Sequence, residues 1–223
     1  MNTEIGAIIV GAGYSERMKG VDKLFTPLGN KPLIAWSLDV CQNFTPIDQI
    51  VIVLNEKNID SGKKLVAERN PSKGISVCTG GKRRQDSVWE GIKKLNNCQW
   101  VIIHDGARPF LTIELLADGL KSAEITGAAA AAVPVKDTIK LSDDNGIVTK
   151  TLPRNQLWAV QTPQIFRLDI ITAAYQRIKS EVTDDASLVE KTGFKVKLYM
   201  GSYRNIKITT PEDFLLAAAL MGE

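Results

Sequence analysis

Arg17 and Lys23 follow a small-residue loop, Gly11-Ala12-Gly13, at the end of an apolar run from Ile5 to Val10. Small residues let a phosphate approach main-chain N–H groups closely. Two cations just beyond such a loop place positive charge where a polyphosphate lies. The chemistry to expect is the handling of a nucleoside triphosphate. The plain alternative is a βα turn with a solvated arginine and lysine. Two familiar phosphate motifs do not fit. A P-loop ends in Gly-Lys-Ser/Thr, and no such run follows the first strand. A dinucleotide fingerprint needs a third glycine where Glu16 stands, and a carboxylate there faces a pyrophosphate badly.

What remains resembles the signature loop of nucleotidyltransferases that move a nucleoside monophosphate from a triphosphate onto a phosphorylated acceptor. Other polar motifs fall at the ends of other apolar runs. These are Gly80-Gly-Lys-Arg-Arg-Gln-Asp-Ser87, Asp105-Gly-Ala-Arg-Pro109, Lys136-Asp-Thr138 and Asn205-Ile-Lys207. Open α/β sheets bind ligands beyond the carboxyl ends of their strands, so this coincidence is the principal sign of a site.

Each motif taken alone has a bland reading. Gly80-Gly81 is a turn, or a place where a base edge meets backbone groups. Ser87 serves as a helix cap, a nucleotide contact, or both. Asp105 is a loop cap, a metal ligand or a partner for a sugar hydroxyl. Arg108 sits in a loop fixed by Pro109 and is read as pairing with an anion. His104 is the single histidine, which leaves no histidine metal site, and a structural role is expected. Asp184 and Asp185 are expected to cap a helix. Alternation turns Lys207 away from Ile206 and Ile208, onto a solvated strand face.

The elements that must position these residues follow from hydrophobic periodicity. Strands are expected at Ile5–Val10, Gln49–Leu54, Ile75–Thr79, Trp100–His104, Ala128–Val135, Val196–Met200 and Asn205–Thr209. Helices alternate with them: Pro32–Phe44, Asn55–Glu68, one capped by Asp86-Ser87 and running to Leu95, Thr112–Ile125, Arg167–Lys179, a short one after Thr183, and Pro211–Met221. This alternation predicts an α/β fold: a single Rossmann-like, mostly parallel sheet with helices on both faces. Between Asp137 and Leu152 the pattern becomes a hairpin about Asp143-Asp144-Asn145-Gly146. It has too few apolar residues for a core element and is read as an arm over residues 136–155. An arm needs a surface to lie against, so a homodimer is expected. Trp158–Gln161 returns to the body, and Pro163 is expected to end that extended piece.

Bulk properties narrow the class. The chain has 223 residues, with 28 Lys and Arg against 25 Asp and Glu, a net charge of +3. One domain spanning 1–223 is expected. The charge is too small and too scattered for a nucleic-acid partner. Cys41, Cys78 and Cys98 suit neither a zinc site nor a disulfide framework. No apolar run is long enough for a membrane, and the chain enters a core strand almost at once, so a cytoplasmic address without a signal peptide is expected.

Taken together the motifs resemble the 2-C-methyl-D-erythritol 4-phosphate cytidylyltransferase family. The likeness is carried by Gly-Ala-Gly-x-x-x-Arg-Met with Lys23, GGKRRQDSV, HDGARPF, VKDTIK, PRNQLWAVQTPQIF, TDDAS and NIKITTPEDF. Ribitol-5-phosphate cytidylyltransferases tend to have His-Asp-Ala-Val-Arg-Pro where this chain has His104-Asp-Gly-Ala-Arg-Pro109, and to lack the Asp86-Ser87 pair. The resemblance implies a nucleotide-diphospho-sugar transferase type of fold. It implies Arg17 and Lys23 as transition-state stabilisers, and Arg154 and Lys207 as the pair that positions the acceptor phosphate. Gly11, Ala12, Gly13, Gly81, Lys82 and Ser87 are implied as CTP contacts, and Asp105, Arg108, Thr138 and Thr162 as acceptor-side residues. It implies a homodimer whose arm completes the neighbour's acceptor site. The chain departs from the family pattern at Val10-Gly11, at Asp22 and at Arg204.

The implied reaction is in-line attack of the acceptor phosphate on the α-phosphorus of CTP, releasing pyrophosphate. A phosphate monoester has its second pKa at about 6, so it is already a nucleophile and needs no general base. The protein then supplies cations and alignment. Mg2+ is the expected cofactor, held mainly by triphosphate oxygens with Asp105 as a candidate ligand. A catalytically silent nucleotide-binding regulator is the reading from another class. It has no need of an acceptor-positioning pair.

Overall fold

A computed structural model describes residues 4–13, 22–69 and 71–222. The chain begins with β1 (Ile5–Gly11), a short antiparallel pair β2 (Pro27–Leu28) and β3 (Lys31–Pro32), and α1 (Leu33–Asn43). It continues through β4 (Ile47–Leu54), α2 (Ile59–Arg69), β5 (Gly74–Thr79), α3 (Arg84–Ile92), β6 (Trp100–Asp105), α4 (Ile113–Thr126) and β7 (Ala128–Pro134). The arm strands β8 (Lys140–Ser142) and β9 (Val148–Thr151) follow, then β10 (Trp158–Arg167), α5 (Leu168–Arg177), α6 (Asp185–Glu190), β11 (Lys197–Met200) and α7 (Pro211–Met221).

Among the described residues one seven-stranded sheet has the order β11-β7-β10-β6-β1-β4-β5. β10 runs antiparallel to both its neighbours, and the other pairings are parallel. Alternation along β1 shows how the sheet is buried on both faces. Ile5, Ala7 and Ile9 join a core built with α1 and α4, whereas Ile8 and Val10 join a second core with α3, α5 and α6. A strand covered on both sides has no polar face, so β1 reads as a continuous apolar run. Its one way out is its carboxyl end, where Gly11 leads into the small-residue loop.

Local chemistry sets the helix ends that matter for the site. Thr112 accepts the Leu115 N–H at 3.2 Å and starts α4. Gly127, at φ 82°, closes it in the left-handed conformation that glycine adopts without penalty. Thr210 accepts from Asp213 N–H and the Asp213 carboxylate returns to Thr210 N–H at 2.9 Å, a reciprocal cap with Pro211 as the first helical residue.

Several expectations are corrected. Asp86 and Ser87 do not stand at the start of α3: the helix begins at Arg84, with Arg83 as its N-cap, and ends at Ile92 rather than Leu95. Asp86, the third helical residue, accepts the Arg83 N–H at 3.2 Å and its guanidinium Nη2 at 2.6 Å, which pulls the helix start forward. Pro163 does not end its strand. β10 runs on to Arg167 because its register with β7 breaks between Val160 and Gln164, and a proline without an N–H is tolerated at such an irregularity. Residues 205–209 are not a strand. They form an extended loop tied to the body by the Ile208 N–H donating to Ala107 O at 2.9 Å. Asp184 caps α6 as expected, accepting Ser187 N–H at 3.0 Å, but Asp185 is turned inward and buried.

The hairpin is present. Asp143 accepts the N–H of Asn145 and Ile147 with its side chain, and Gly146 sits at φ 79°. Every residue of β8 and β9 is exposed, in line with an arm that packs on nothing within its own chain.

Candidate active site

The carboxyl ends of β1, β5 and β6 surround a cavity of about 240 Å³. One wall is the backbone of Gly11, Ala12 and Gly13. A second, adjoining wall is Gly81, Lys82, Arg83, Arg84 and Ser87 at the start of α3, and the lining also includes Lys23, Asp105, Lys207 and Thr209. Motifs far apart in sequence are thus brought to one place because parallel strands end on the same edge of the sheet.

The two glycine-bearing walls touch. A Cβ on Gly80 would lie 2.4 Å from the Ala12 methyl and 2.6 Å from Ser87 Oγ. Ser87 Oγ accepts the Gly81 N–H at 3.2 Å and donates to Arg83 O at 3.0 Å, so it braces the turn from inside. Gly80→Ala is therefore expected to destabilise the fold by about 1–3 kcal/mol, because methyl meets methyl with no flexible end to move. Gly13→Ala meets nothing within 4 Å. Its denaturation midpoint should match the unaltered chain, and equal midpoints for the two variants would contradict the packing described.

Electrostatics centre on Asp105 at the end of β6. Its Oδ1 lies 3.1 Å from Arg84 Nε, its Oδ2 lies 2.7 Å from Lys207 Nζ, and Arg108 Nε stands at 4.0 Å. Burial alone raises a carboxyl pKa, but here Arg84, Lys207 and Arg108 outweigh it and hold Asp105 well below the usual carboxylate range. Lys207 is exposed at the rim of the cavity, turned away from the buried Ile208 as alternation anticipates, and it is paired with Asp105 instead of standing alone in solvent. Lys23 Nζ donates to Ile208 O at 3.1 Å, which ties the first loop to the segment carrying Lys207. Asp22 accepts Leu24 N–H at 3.0 Å and begins the turn behind Lys23.

These features coincide with a close family match. The profile of 2-C-methyl-D-erythritol 4-phosphate cytidylyltransferase (IspD) matches residues 5–223. The 2-C-methyl-D-erythritol 4-phosphate cytidylyltransferase of Dehalococcoides mccartyi is 52% identical over 221 residues, covering 99% of this chain and 97% of that protein. That of Halalkalibacterium halodurans is 43% identical over 224 residues, covering 99% and 98%. The chain belongs to the 2-C-methyl-D-erythritol 4-phosphate cytidylyltransferase family. The crystal structure of 4-diphosphocytidyl-2C-methyl-D-erythritol synthase from Anaerococcus prevotii matches with a TM-score of 0.89 at 32% identity, over 100% of both chains.

Against the cytidylyltransferase motifs, the structure gathers Gly11, Ala12, Gly13, Lys23, Gly81, Lys82, Ser87, Asp105 and Lys207 around the cavity. Arg17 lies outside the described residues. Arg108, Thr138, Arg154 and Thr162 do not line the cavity in this chain. Arg108 directs Nη1 to Asn205 O at 2.6 Å and so holds the loop that carries Lys207. Thr162 is buried, and its Oγ accepts the Asp105 N–H at 3.0 Å. Thr138 is exposed beside the arm, and Arg154 donates to Lys136 O at 2.6 Å at the arm's base. Arg204 turns its guanidinium to Leu220 O at 2.5 Å, at the end of α7.

His104 is buried between Thr162 Oγ at 3.2 Å and Arg108 O at 3.1 Å. The carbonyl requires a proton on Nε2, and Nδ1 is then left to accept from Thr162, so the neutral tautomer is inferred from the network. Burial pushes its pKa down from 6.5 to about 4. Between those values the unfolded chain binds a proton that the folded chain refuses. The contribution of His104 to stability is therefore fully present above about pH 6.5 and is lost as pH drops toward 4, about 3 kcal/mol in all. Denaturation midpoints measured from pH 7 to 4 should show this slope, flattened in His104→Gln; equal slopes would count against it.

Sequence reasoning missed Arg84, Asp185, Tyr175 and Thr209. Arg84 was hidden inside Lys82-Arg83-Arg84, where nothing in the sequence says which cation turns inward. In sequence Asp185 is indistinguishable from the capping Asp184 beside it. Among the described residues Asp105 is the carboxylate that lines the cavity, and its two oxygens are already shared by cations. A divalent ion there competes with Lys207 at 2.7 Å, so Asp105 does not fit a metal in this arrangement. Among the described residues no group of three His, Cys, Asp or Glu side chains could hold a metal ion, and no helix is long and apolar enough to cross a membrane.

Proposed function

We propose that the chain transfers CMP from CTP to 2-C-methyl-D-erythritol 4-phosphate, giving 4-diphosphocytidyl-2-C-methyl-D-erythritol and pyrophosphate. The observation that carries the reading is the cavity itself, where two glycine walls meet Lys23, Lys82 and Lys207. Such a site suits two polyanions that must be brought together. The triphosphate lies against the backbone of Gly11–Gly13 and Gly81. Lys23 neutralises charge that grows on the α-phosphoryl oxygens and the leaving pyrophosphate, with Arg17 as its partner from the first loop. Lys207, with Arg154, holds the acceptor phosphate in line. The acceptor oxygen attacks the α-phosphorus as the bond to pyrophosphate breaks, and no proton needs removing. His104, neutral and enclosed, is correspondingly absent from the chemistry. Mg2+ enters the proposal as an ion carried by the phosphates of CTP, with no residue of this chain assigned to it.

The arm supports a homodimer, since it is exposed along its length and has Thr138 and Arg154 at its base. Replacing residues 140–151 by a short turn is expected to leave a monomer by sedimentation; a persisting dimer would remove the arm from the interface. The three cysteines are unpaired, which suits a cytoplasmic address.

The deciding experiment is pyrophosphate release with CTP and Mg2+, offering methylerythritol 4-phosphate and ribitol 5-phosphate side by side. Release with the first alone is expected. Release with the second alone would move the chain to the sister activity, and silence with both beside measurable CTP binding would favour a regulator.

A further inference from the structure

Lys207 rides on an extended loop with no strand ladder to fix it. The position of its ammonium is set by Asp105, 2.7 Å away. Asp105 is in turn one end of a longer chain of contacts. Arg84, the first residue of α3, reaches Asp105 Oδ1 with Nε at 3.1 Å and Asp185 Oδ2 with Nη1 at 2.7 Å. Asp185 is 1% exposed and accepts the Tyr175 hydroxyl at 2.6 Å. The start of α6 is pinned to β10, because Gln164 accepts the Ala186 N–H at 2.9 Å and donates to Asp184 at 2.8 Å. Among the described residues Arg84 Nη2 is buried without a partner. A buried guanidinium with an unused N–H is costly, and apolar replacements of buried ion networks are often as stable. Stability alone is therefore a poor reason for this network.

We infer that Arg84 and Asp185 are positioning residues for the transfer reaction: together they form a strut from α6 to Asp105 that places the Lys207 ammonium. The inference rests on the activity proposed above. Lysine cannot span two carboxylates as the forked guanidinium does, so Arg84→Lys tests it. Its kcat/KM for the acceptor is expected to fall by about 10- to 100-fold, as small misplacements do, with the KM for CTP changed much less. In a Lys207→Ala background the same substitution should cost less than about twofold further, since no ammonium remains to be placed. A purely structural role predicts losses that multiply, and that result would overturn the strut. Tyr175→Phe loosens Asp185 without removing a charge and keeps the ring stacked on Trp89, 5.6 Å between centroids. It should lower the same parameter by a smaller factor. No change in either single variant would also overturn the strut. Inactivity of the unaltered chain would instead fail the proposed activity.

Discussion

Lys207→Ala is expected to lower kcat/KM for the transfer by about 10²- to 10³-fold, the loss typical of removing one preorganised group that stabilises charge at a reacting centre. The ammonium is held before substrate arrives, at 2.7 Å from Asp105, so its charge need not be reorganised during reaction. The same geometry predicts what will not change. Lys207 is 40% exposed, and ion pairs that water can reach contribute little to folding. The variant should therefore denature within about 1 kcal/mol of the unaltered chain while losing activity. Pyrophosphate release and urea denaturation, run on the same preparation, separate the two. Turnover close to normal would remove Lys207 from the positioning role.

Asp105→Asn is expected to show the larger loss of stability, about 3–5 kcal/mol, because it removes the anion from a buried group of cations. Arg84 keeps Asp185 but loses its second carboxylate, and Arg108 loses its nearest one. The pH dependence follows from the direction of the shift. Asp105 is held below the usual carboxylate range, so its contribution is fully present above the unfolded value of about 4. It is lost as pH falls through the lower folded value. The difference between the two proteins should therefore be constant across neutral pH and shrink only in acid. A change under about 1 kcal/mol at pH 7 would show that the cations are satisfied elsewhere. Activity should fall too, since Lys207 loses its anchor.

The two substitutions probe opposite ends of one contact. The first removes a cation that faces the cavity and is partly wet; the second removes the enclosed carboxylate that organises it. Activity and stability are therefore expected to separate in Lys207→Ala and to fall together in Asp105→Asn.

Much of this protein is legible without coordinates. The apolar runs are strands because both faces of a parallel sheet are covered. Gly80-Gly81 and Gly11-Ala12-Gly13 mark the strand ends because close approach tolerates little or no side chain. The hairpin follows from a turn sequence flanked by residues too polar for a core. The family motifs, from Gly11 to Phe214, lie along the chain as local strings and need no tertiary information to be read.

What only the tertiary structure decides is which of several equivalent charges meet. Arg84 finds partners 21 and 101 residues away, and nothing local distinguishes it from Lys82 and Arg83. Asp184 caps α6 while Asp185, one residue on, turns into the core. Lys207 takes the exposed side that alternation gives it, but that this side meets Asp105 at the cavity depends on how the segment packs against the sheet. Pro163 lies within β10 because the register breaks around it. Periodicity reports how a residue sits relative to its own element. Pairing between charges depends on how elements pack, and that is set by the whole fold.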